Sequence, residues 1–201
     1  KGKPIIISTG IARSEDIELA LKSCKRMGNN QISLLKCTSS YPAPIDEANL
    51  SMIKHMSDKY NVITGLSDHT IGATVPIVSV VLGAKIIEKH FILDRSLGGP
   101  DSSFSMNKSE FKSMVKSIRE AEVSIGTIDY NLTEKQIKGR DSSRSLYVVN
   151  NVKKGQIFSE KNVRSIRPGF GLHPKYLPQV LGKRFLVDIE RGSRFNLDLI
   201  E

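Results

Sequence analysis

Two of the four histidines, His69 and His90, stand 21 residues apart, and each closes a β-rich run. The first run is "NVITGL", leading into Ser67-Asp68-His69-Thr70; the second is "GAKIIEK", leading into His90 and Phe91. A separation of that size is one short βα repeat, so both imidazoles are expected at the ends of neighbouring strands, pointing toward one pocket. Neutral imidazoles so placed are natural ligands for a divalent transition metal. Two ligands leave coordination positions open for water and substrate, which suits Lewis-acid catalysis better than a closed structural site. A zinc site with Cys37 as third ligand is the rival, but no Cys-x-x-Cys or close Cys/His spacing supports it. His55 on a helix and His173 in a loop read as surface residues.

Other polar groups gather where strands should end. "STGIA" offers Ser8, Thr9 and Gly10, whose hydroxyls and amides suit a phosphate or carboxylate. "LLKCTSSYPAP" adds Lys36, Thr38, Ser39 and Tyr41 in a Pro-stiffened loop, with Tyr41 placed to stack on or hydrogen-bond a sugar. "LGGPDSSFSM" presents Asp101 on a glycine-rich turn, where a carboxylate can hold substrate hydroxyls. "RSIRPGFGLHP" fixes Arg167 before Pro168, and its planar guanidinium suits carboxylate or amide oxygens. Taken singly, each of these also reads as an ordinary turn or loop.

The elements that must position these groups alternate. "KPIIIST", "ISLLKCT", "NVITGLS" and "KIIEKHF" read as strands. Between them run a helix capped by Ser14 with Ile17, Leu21, Cys24 and Met27 inward, a helix from Asn49 to Lys59, and one capped by Thr74 with Pro76 in its first turn. After the last strand, Asn107 opens a long amphipathic helix with Phe111, Met114, Val115, Ile118 and Val123 on one side. Four βα units with apolar strands imply a parallel sheet covered by helices. Four are half of a (β/α)₈ barrel, whose strand-end face carries the active site. The chain opens inside its first strand with Lys1, so the N-terminal barrel half is expected to be missing. Residues 1–125 are therefore expected to form a partial barrel, and the polar residues 126–143 a linker. Residues 144–201 are expected to form a small β-rich domain. In that last part "NVKKGQIFSEKNV" is echoed by "DIERGSRFNLDLI", pairing Lys154-Gly155 with Arg191-Gly192, Phe158 with Phe195, and Val163 with Ile200. Two copies indicate a pseudo-symmetric β domain rather than a repeat array.

The 201 residues are 39% hydrophobic and 25% charged, the balance of a globular protein. No window has the apolar length of a membrane span, and no secretory signal opens the chain. Two cysteines, Cys24 and Cys37, make no disulfide framework and point to reduced thiols in the cytoplasm. The net charge of +9 is uneven: residues 144–201 hold 11 of the 30 Lys and Arg but 5 of the 21 Asp and Glu. A non-catalytic module holding polyanions is the reading of another class. Against it, the basic residues are scattered and lack the stacking aromatics of single-strand binders, so no nucleic-acid partner is expected.

Together "LLKCTSSYPAP", "GLSDHTIG", "GAKIIEKHF", "GGPDSSFSM" and "RPGFGLHPKYL" resemble the sialic acid synthase family, in the family's order and through essentially the whole chain. The resemblance implies the C-terminal half of a (β/α)₈ TIM barrel followed by a SAF (antifreeze-like) domain. It implies a condensation of phosphoenolpyruvate with an amino-sugar aldehyde. His69 and His90 match the family's ligands for Mn²⁺, with Mg²⁺ or Co²⁺ as substitutes. Ser8, Ser39 and Ser67 match phosphoenolpyruvate-binding positions, with Asn in place of Ser39 in some relatives. Tyr41 and Asp101 match positions near the sugar. Arg167 matches an arginine that reaches the sugar N-acyl group in the opposite subunit of a domain-swapped homodimer. Many relatives carry His soon after Gly-Pro-Asp, where this chain has Ser102 and Ser103. With "CTSSYPAP" that departure favours the branch taking 2,4-diacetamido-2,4,6-trideoxy-altrose over those taking N-acetylmannosamine or the legionaminate precursor. Relatives also place a phosphate-binding lysine and further polar groups in the other barrel half, and without them the chain alone is expected to be inactive.

Overall fold

The computed structural model describes residues 2–201. The chain divides between Thr127 and Ile128 into two compact units. The first is an α/β unit: β1 (Ile5–Ser8), α1 (Ser14–Arg26), β2 (Ile32–Cys37), α2 (Ser51–Tyr60), β3 (Ile63–Asp68), α3 (Thr74–Val81), β4 (Ile87–Lys89) and α4 (Lys108–Ile125). The four strands form one curled parallel sheet in the order β1-β2-β3-β4, the arrangement that successive βα units produce.

Alternation along the strands sorts the side chains. On the helix side, Ile7, Ile32 and Leu34 pack against Ile17 and Leu21 of α1 and Met56 of α2. Leu66 packs against Ile53 of α2 and Val75 of α3. Farther along, Val80 of α3 meets Met106 and the α4 residues Met114 and Ile118. Each such buried aliphatic side chain contributes about 1.5–3 kcal/mol. The α2 helix ends at Asn61, which adopts the left-handed conformation (φ 51°) that Asn tolerates.

The helix starts differ by a residue from the expected ones. Arg13, not Ser14, caps α1, because the Asp16 carboxylate accepts the Arg13 N–H at 2.9 Å. The Ser14 hydroxyl instead bonds Glu18 and Tyr60. Ala73, not Thr74, caps α3. Asn107 does cap α4, accepting the Glu110 N–H at 3.0 Å while Glu110 accepts the Asn107 N–H. The apolar stripe of α4 is shorter than expected: Met114 and Ile118 are buried, but Val123 is 82% exposed. Met27 also lies outside the core, at the C-cap of α1.

The second unit contains α5 (Glu134–Arg140), β5 (Ser145–Val148), β6 (Val163–Ile166) and the short α6 (Leu177–Val180). The α5 helix falls within the stretch expected to be a linker. Thr133 caps it, and Gln136 returns the bond to the Thr133 N–H at 2.8 Å. The strands β5 and β6 pair antiparallel, and single bridges Val152↔Ile189, Ile157↔Arg184 and Phe185↔Ile200 knit the turns together. Both halves of the sequence echo feed one core: Phe158 and Val163 from the first copy, Phe195 and Ile200 from the second. Gly155 and Gly192 occupy matching turns at φ +82° and +92°. No helix among the described residues is long and apolar enough to cross a membrane.

Candidate active site

Ser8 and Cys37 end β1 and β2, and Ser67 stands one residue before the end of β3, all on the sheet face opposite the helices. Cys37 pairs in register with Ser67, and Ser67 with Glu88 on β4, so one polar band crosses the strand ends. Above it opens a cleft of about 550 Å³, bordered also by Gly10, Ser39, Tyr41 and His69. The expected phosphoenolpyruvate-binding serines Ser8, Ser39 and Ser67 thus line one cleft together with Tyr41. Thr9 plays a different part from that suggested by its sequence: its hydroxyl donates to the Leu35 carbonyl at 3.0 Å. Lys36 also turns away, donating to the Cys37 carbonyl at 2.7 Å and to the Thr38 hydroxyl at 3.1 Å. Burial strips water from its ammonium and pulls its pKa down.

The two histidines converge. His69, only 7% exposed, follows β3 directly, and its ring centroid lies 5.2 Å from that of His90 at an interplanar angle of 71°. His69 Nδ1 lies 2.9 Å from the Thr38 carbonyl oxygen, which can only accept, so Nδ1 carries a hydrogen and Nε2 is the nitrogen left for a ligand. The peptide groups are held too. The His69 carbonyl accepts from Ala43 N–H at 3.0 Å, and the His90 carbonyl from Met106 N–H at 2.9 Å. Asp101 Oδ2 stands 3.5 Å from His90 Nδ1, an electrostatic contact rather than a hydrogen bond.

Aromatic rings complete the wall. Tyr41 lies 4.2 Å from the His69 ring and 6.0 Å from His90. Phe104, which the sequence did not single out, lies 5.0 Å from His90 and 6.1 Å from Tyr41. It arrives on the loop after β4, and no periodicity marks a loop residue for such a place. Asp68 and Lys89 each stand immediately before a histidine. They form a buried ion pair at 2.6 Å.

Among the described residues no three His, Cys, Asp or Glu side chains cluster as a metal site. The separation of the two histidine rings is compatible with one shared ion. Two imidazoles sharing one ion at metal–nitrogen distances of about 2.1 Å have ring centroids about 5 Å apart. The Thr38 carbonyl supplies the outer hydrogen bond that metal-bound histidines typically make. Cys37 Sγ lies 4.0 Å from His69 Nδ1, the nitrogen already committed to Thr38.

Arg167 belongs to the second unit, exposed at the end of β6. Its loop is tightly held. The Ser145 hydroxyl donates to the Pro168 carbonyl at 2.7 Å, and Gly169 N–H donates to the Asp141 carbonyl at 2.8 Å. A Cβ at Gly169 would stand 2.6 Å from the Arg140 carbonyl oxygen, so α5 anchors this loop.

Comparison with known proteins agrees with this layout. The NeuB family profile matches residues 1–130, and the SAF domain profile residues 143–198. A pseudaminic acid synthase of Campylobacter jejuni subsp. jejuni serotype O:23/36 is 48% identical over 95% of the chain and 56% of its own length. A pseudaminic acid synthase of Helicobacter pylori is 42% identical over 99% of the chain and 59% of its own length. The crystal structure of a spore coat polysaccharide biosynthesis protein of Bacillus subtilis matches with a TM-score of 0.59 and 34% identity, over 99% of the chain and 61% of that protein. The chain therefore spans less than two thirds of these relatives. A parallel sheet with polar strand ends, a separate β-rich unit, and profile matches to both place the chain in the NeuB family, with a SAF domain as its second unit.

Proposed function

We propose that the chain acts in the condensation of phosphoenolpyruvate with 2,4-diacetamido-2,4,6-trideoxy-β-L-altropyranose, giving pseudaminic acid and inorganic phosphate. The observation that carries this reading is the convergence of His69 and His90 beside a cleft edged by serine hydroxyls. The pseudaminic acid synthases among the relatives support the choice of sugar. Four sequential βα units are half of what a (β/α)₈ barrel needs, and we read this unit as the C-terminal half of one.

In this reading C3 of phosphoenolpyruvate attacks the carbonyl carbon of the open-chain sugar, whose oxygen takes up a proton. Water adds at C2, and phosphate leaves with cleavage of the C–O bond. His69 and His90 would hold a divalent ion, Mn²⁺ by preference, through ring nitrogens. Bound there, the ion supplies Lewis-acid polarisation of the aldehyde. Ser8, Ser39 and Ser67 donate hydrogen bonds to the anionic groups of phosphoenolpyruvate. Asp101 accepts from sugar hydroxyls, and Tyr41 covers the sugar with its ring. Arg167 reaches the sugar N-acyl group across a domain-swapped homodimer, which gives the basic second unit its role. The free thiols Cys24 and Cys37 accord with a cytoplasmic enzyme.

The test is phosphate release from phosphoenolpyruvate and the altrose derivative by the complete enzyme and by its His69→Ala and His90→Ala variants. Turnover should fall by at least about a hundredfold in each. Unchanged turnover in both removes the metal-site assignment, and a clear preference for N-acetylmannosamine removes the choice of sugar.

A further inference from the structure

We propose that the buried Asp68–Lys89 ion pair is a positioning device that sets the separation and orientation of His69 and His90. The inference rests on the reading of those histidines as a metal-binding pair.

Asp68 is the last residue of β3 and Lys89 the last of β4, and the two are register partners. Each directly precedes one histidine. The two side chains are 2% and 1% exposed, with Nζ 2.6 Å from Oδ2. Lys89 Nζ also donates to the Thr70 carbonyl. The Asp68 carboxylate accepts from Thr70 N–H and from the Thr70 hydroxyl, both at 3.1 Å. Residues on both sides of His69 are therefore tied to the amine of the residue before His90. The backbone ladder joining β3 to β4 has only three register pairs, and this ion pair closes its last one.

Stability alone does not account for such a pair. Apolar side chains of similar volume fill a buried site at least as favourably as two desolvated charges. A directional, fully bonded pair does what apolar contacts do not: it penalises sliding. A slip of β4 along β3 would leave both charges buried and unpaired. The same slip would move His90 away from His69 by a residue rise and turn its ring to the other face.

The experiment compares the full chain with the volume-conserving double variant Asp68→Leu/Lys89→Met, using Mn²⁺ alone as probe. Free Mn²⁺ is read by electron paramagnetic resonance, the thermal midpoint by calorimetry, and the histidine rings of the metal-free protein by two-bond ¹H–¹⁵N spectra. A purely structural pair predicts that the double variant regains both stability and Mn²⁺ affinity. A positioning pair predicts a midpoint near the parent's, with Mn²⁺ bound about 10- to 100-fold more weakly, the loss typical when an outer partner of a metal-bound histidine goes. In the metal-free spectra the parent should show one Nδ1–H form of His69, and the double variant a mixture. Parent-like affinity together with unchanged ring spectra in the double variant overturns the proposal. A parent that takes up no Mn²⁺ removes the metal reading, and the ring spectra then decide the positioning claim alone. Thr70→Val, which deletes only the hydroxyl bond to Asp68, should give a smaller loss in the same direction. It serves as the deciding variant if the double substitution folds poorly, and parent-like behaviour in it then overturns the claim.

Discussion

Gly65 on β3 faces the backbone of Ile86 so closely that a Cβ would stand 2.3 Å from the Ile86 carbonyl oxygen. The same carbonyl accepts from Leu66 N–H at 2.9 Å, which ties β3 to the start of β4. On the β2 side, Leu35 Cδ2 would lie 2.6 Å from that Cβ. The backbone angle at Gly65 is ordinary, so what is required here is space. Gly65→Ala should therefore act as an overpacking change, costing about 1–3 kcal/mol. In a protein of this size that lowers the thermal midpoint by about 2–4 °C per kcal/mol. Calorimetry of the variant checks it, and an unchanged midpoint contradicts the close approach.

Gly10 presents a second close approach, at the cleft itself. A Cβ there would meet Ser39 Oγ at 2.5 Å, and its φ of +24° is strained for any other residue. The loop after β1 and the loop after β2 touch at this point. Gly10→Ala should displace Ser39 and disturb the anion-binding side of the cleft. On the proposed function, KM for phosphoenolpyruvate rises about tenfold, the worth of roughly one hydrogen bond to a charged group. KM for the sugar should change less. Steady-state kinetics with each substrate varied in turn separates the two, and equal rises would contradict the assignment of Ser39.

Much of this was legible in the residues. The strand-end histidines are legible because successive βα units bring the C-terminal ends of all their strands to one face, and "SDHT" and "EKHF" occupy equivalent places in adjacent units. The α5 helix was also readable: Thr133 and Gln136 have capping-box spacing, yet the polarity around them argued for linker. The partnership of Asp68 with Lys89 was not readable, because register between parallel strands is a tertiary property that two separate strings do not carry. Phe104 was hidden because it sits in a loop, where no periodicity marks a residue for burial. The start at Arg13 turns on the Asp16 carboxylate three residues on, and at Ala73 no side-chain bond marks the start, so propensity points instead to the neighbouring Ser or Thr. The echo from Phe158 to Phe195 was legible as similarity, while its consequence, ring against ring, needed the fold.

Arg95 and Glu110 carry a pH-dependent contribution to stability. The guanidinium grips both carboxylate oxygens, at 3.0 and 2.6 Å, while the Asn107 N–H donates to Oε2 at 2.9 Å. The Arg95 bond first, and the Asn107 bond next, hold the Glu110 carboxyl below its ordinary pKa. A carboxyl whose folded-state pKa is depressed stabilises the fold above its unfolded pKa. That contribution fades as pH falls through the folded value. Glu110→Gln should thus lower the midpoint at neutral pH by roughly 2 °C, a small effect because the pair is solvent-screened. The gap between parent and variant should close as pH falls below the usual carboxylate range. Midpoints measured across that range check the sign, and a gap that widens toward acid would refute it.

Phe158 and Phe195, at equivalent places in the two copies of the echo, meet at a centroid distance of 4.8 Å and an interplanar angle of 60°. Phe185 lies 5.8 Å from the first and 6.3 Å from the second, and all three rings are essentially inaccessible. The second unit has few regular elements, so its stability depends on this cluster more than on backbone ladders. Replacing either ring with alanine should cost about 3–5 kcal/mol, because the surrounding turns cannot collapse into so large a void. Matching positions should cost similar amounts. The double variant should lose less than the two single losses combined, by about 0.5–1.5 kcal/mol for the edge-to-face contact. Urea unfolding of the parent, the two single variants and the double variant measures this directly. Strictly additive losses would show that the rings contribute independently and that their contact has no energetic consequence.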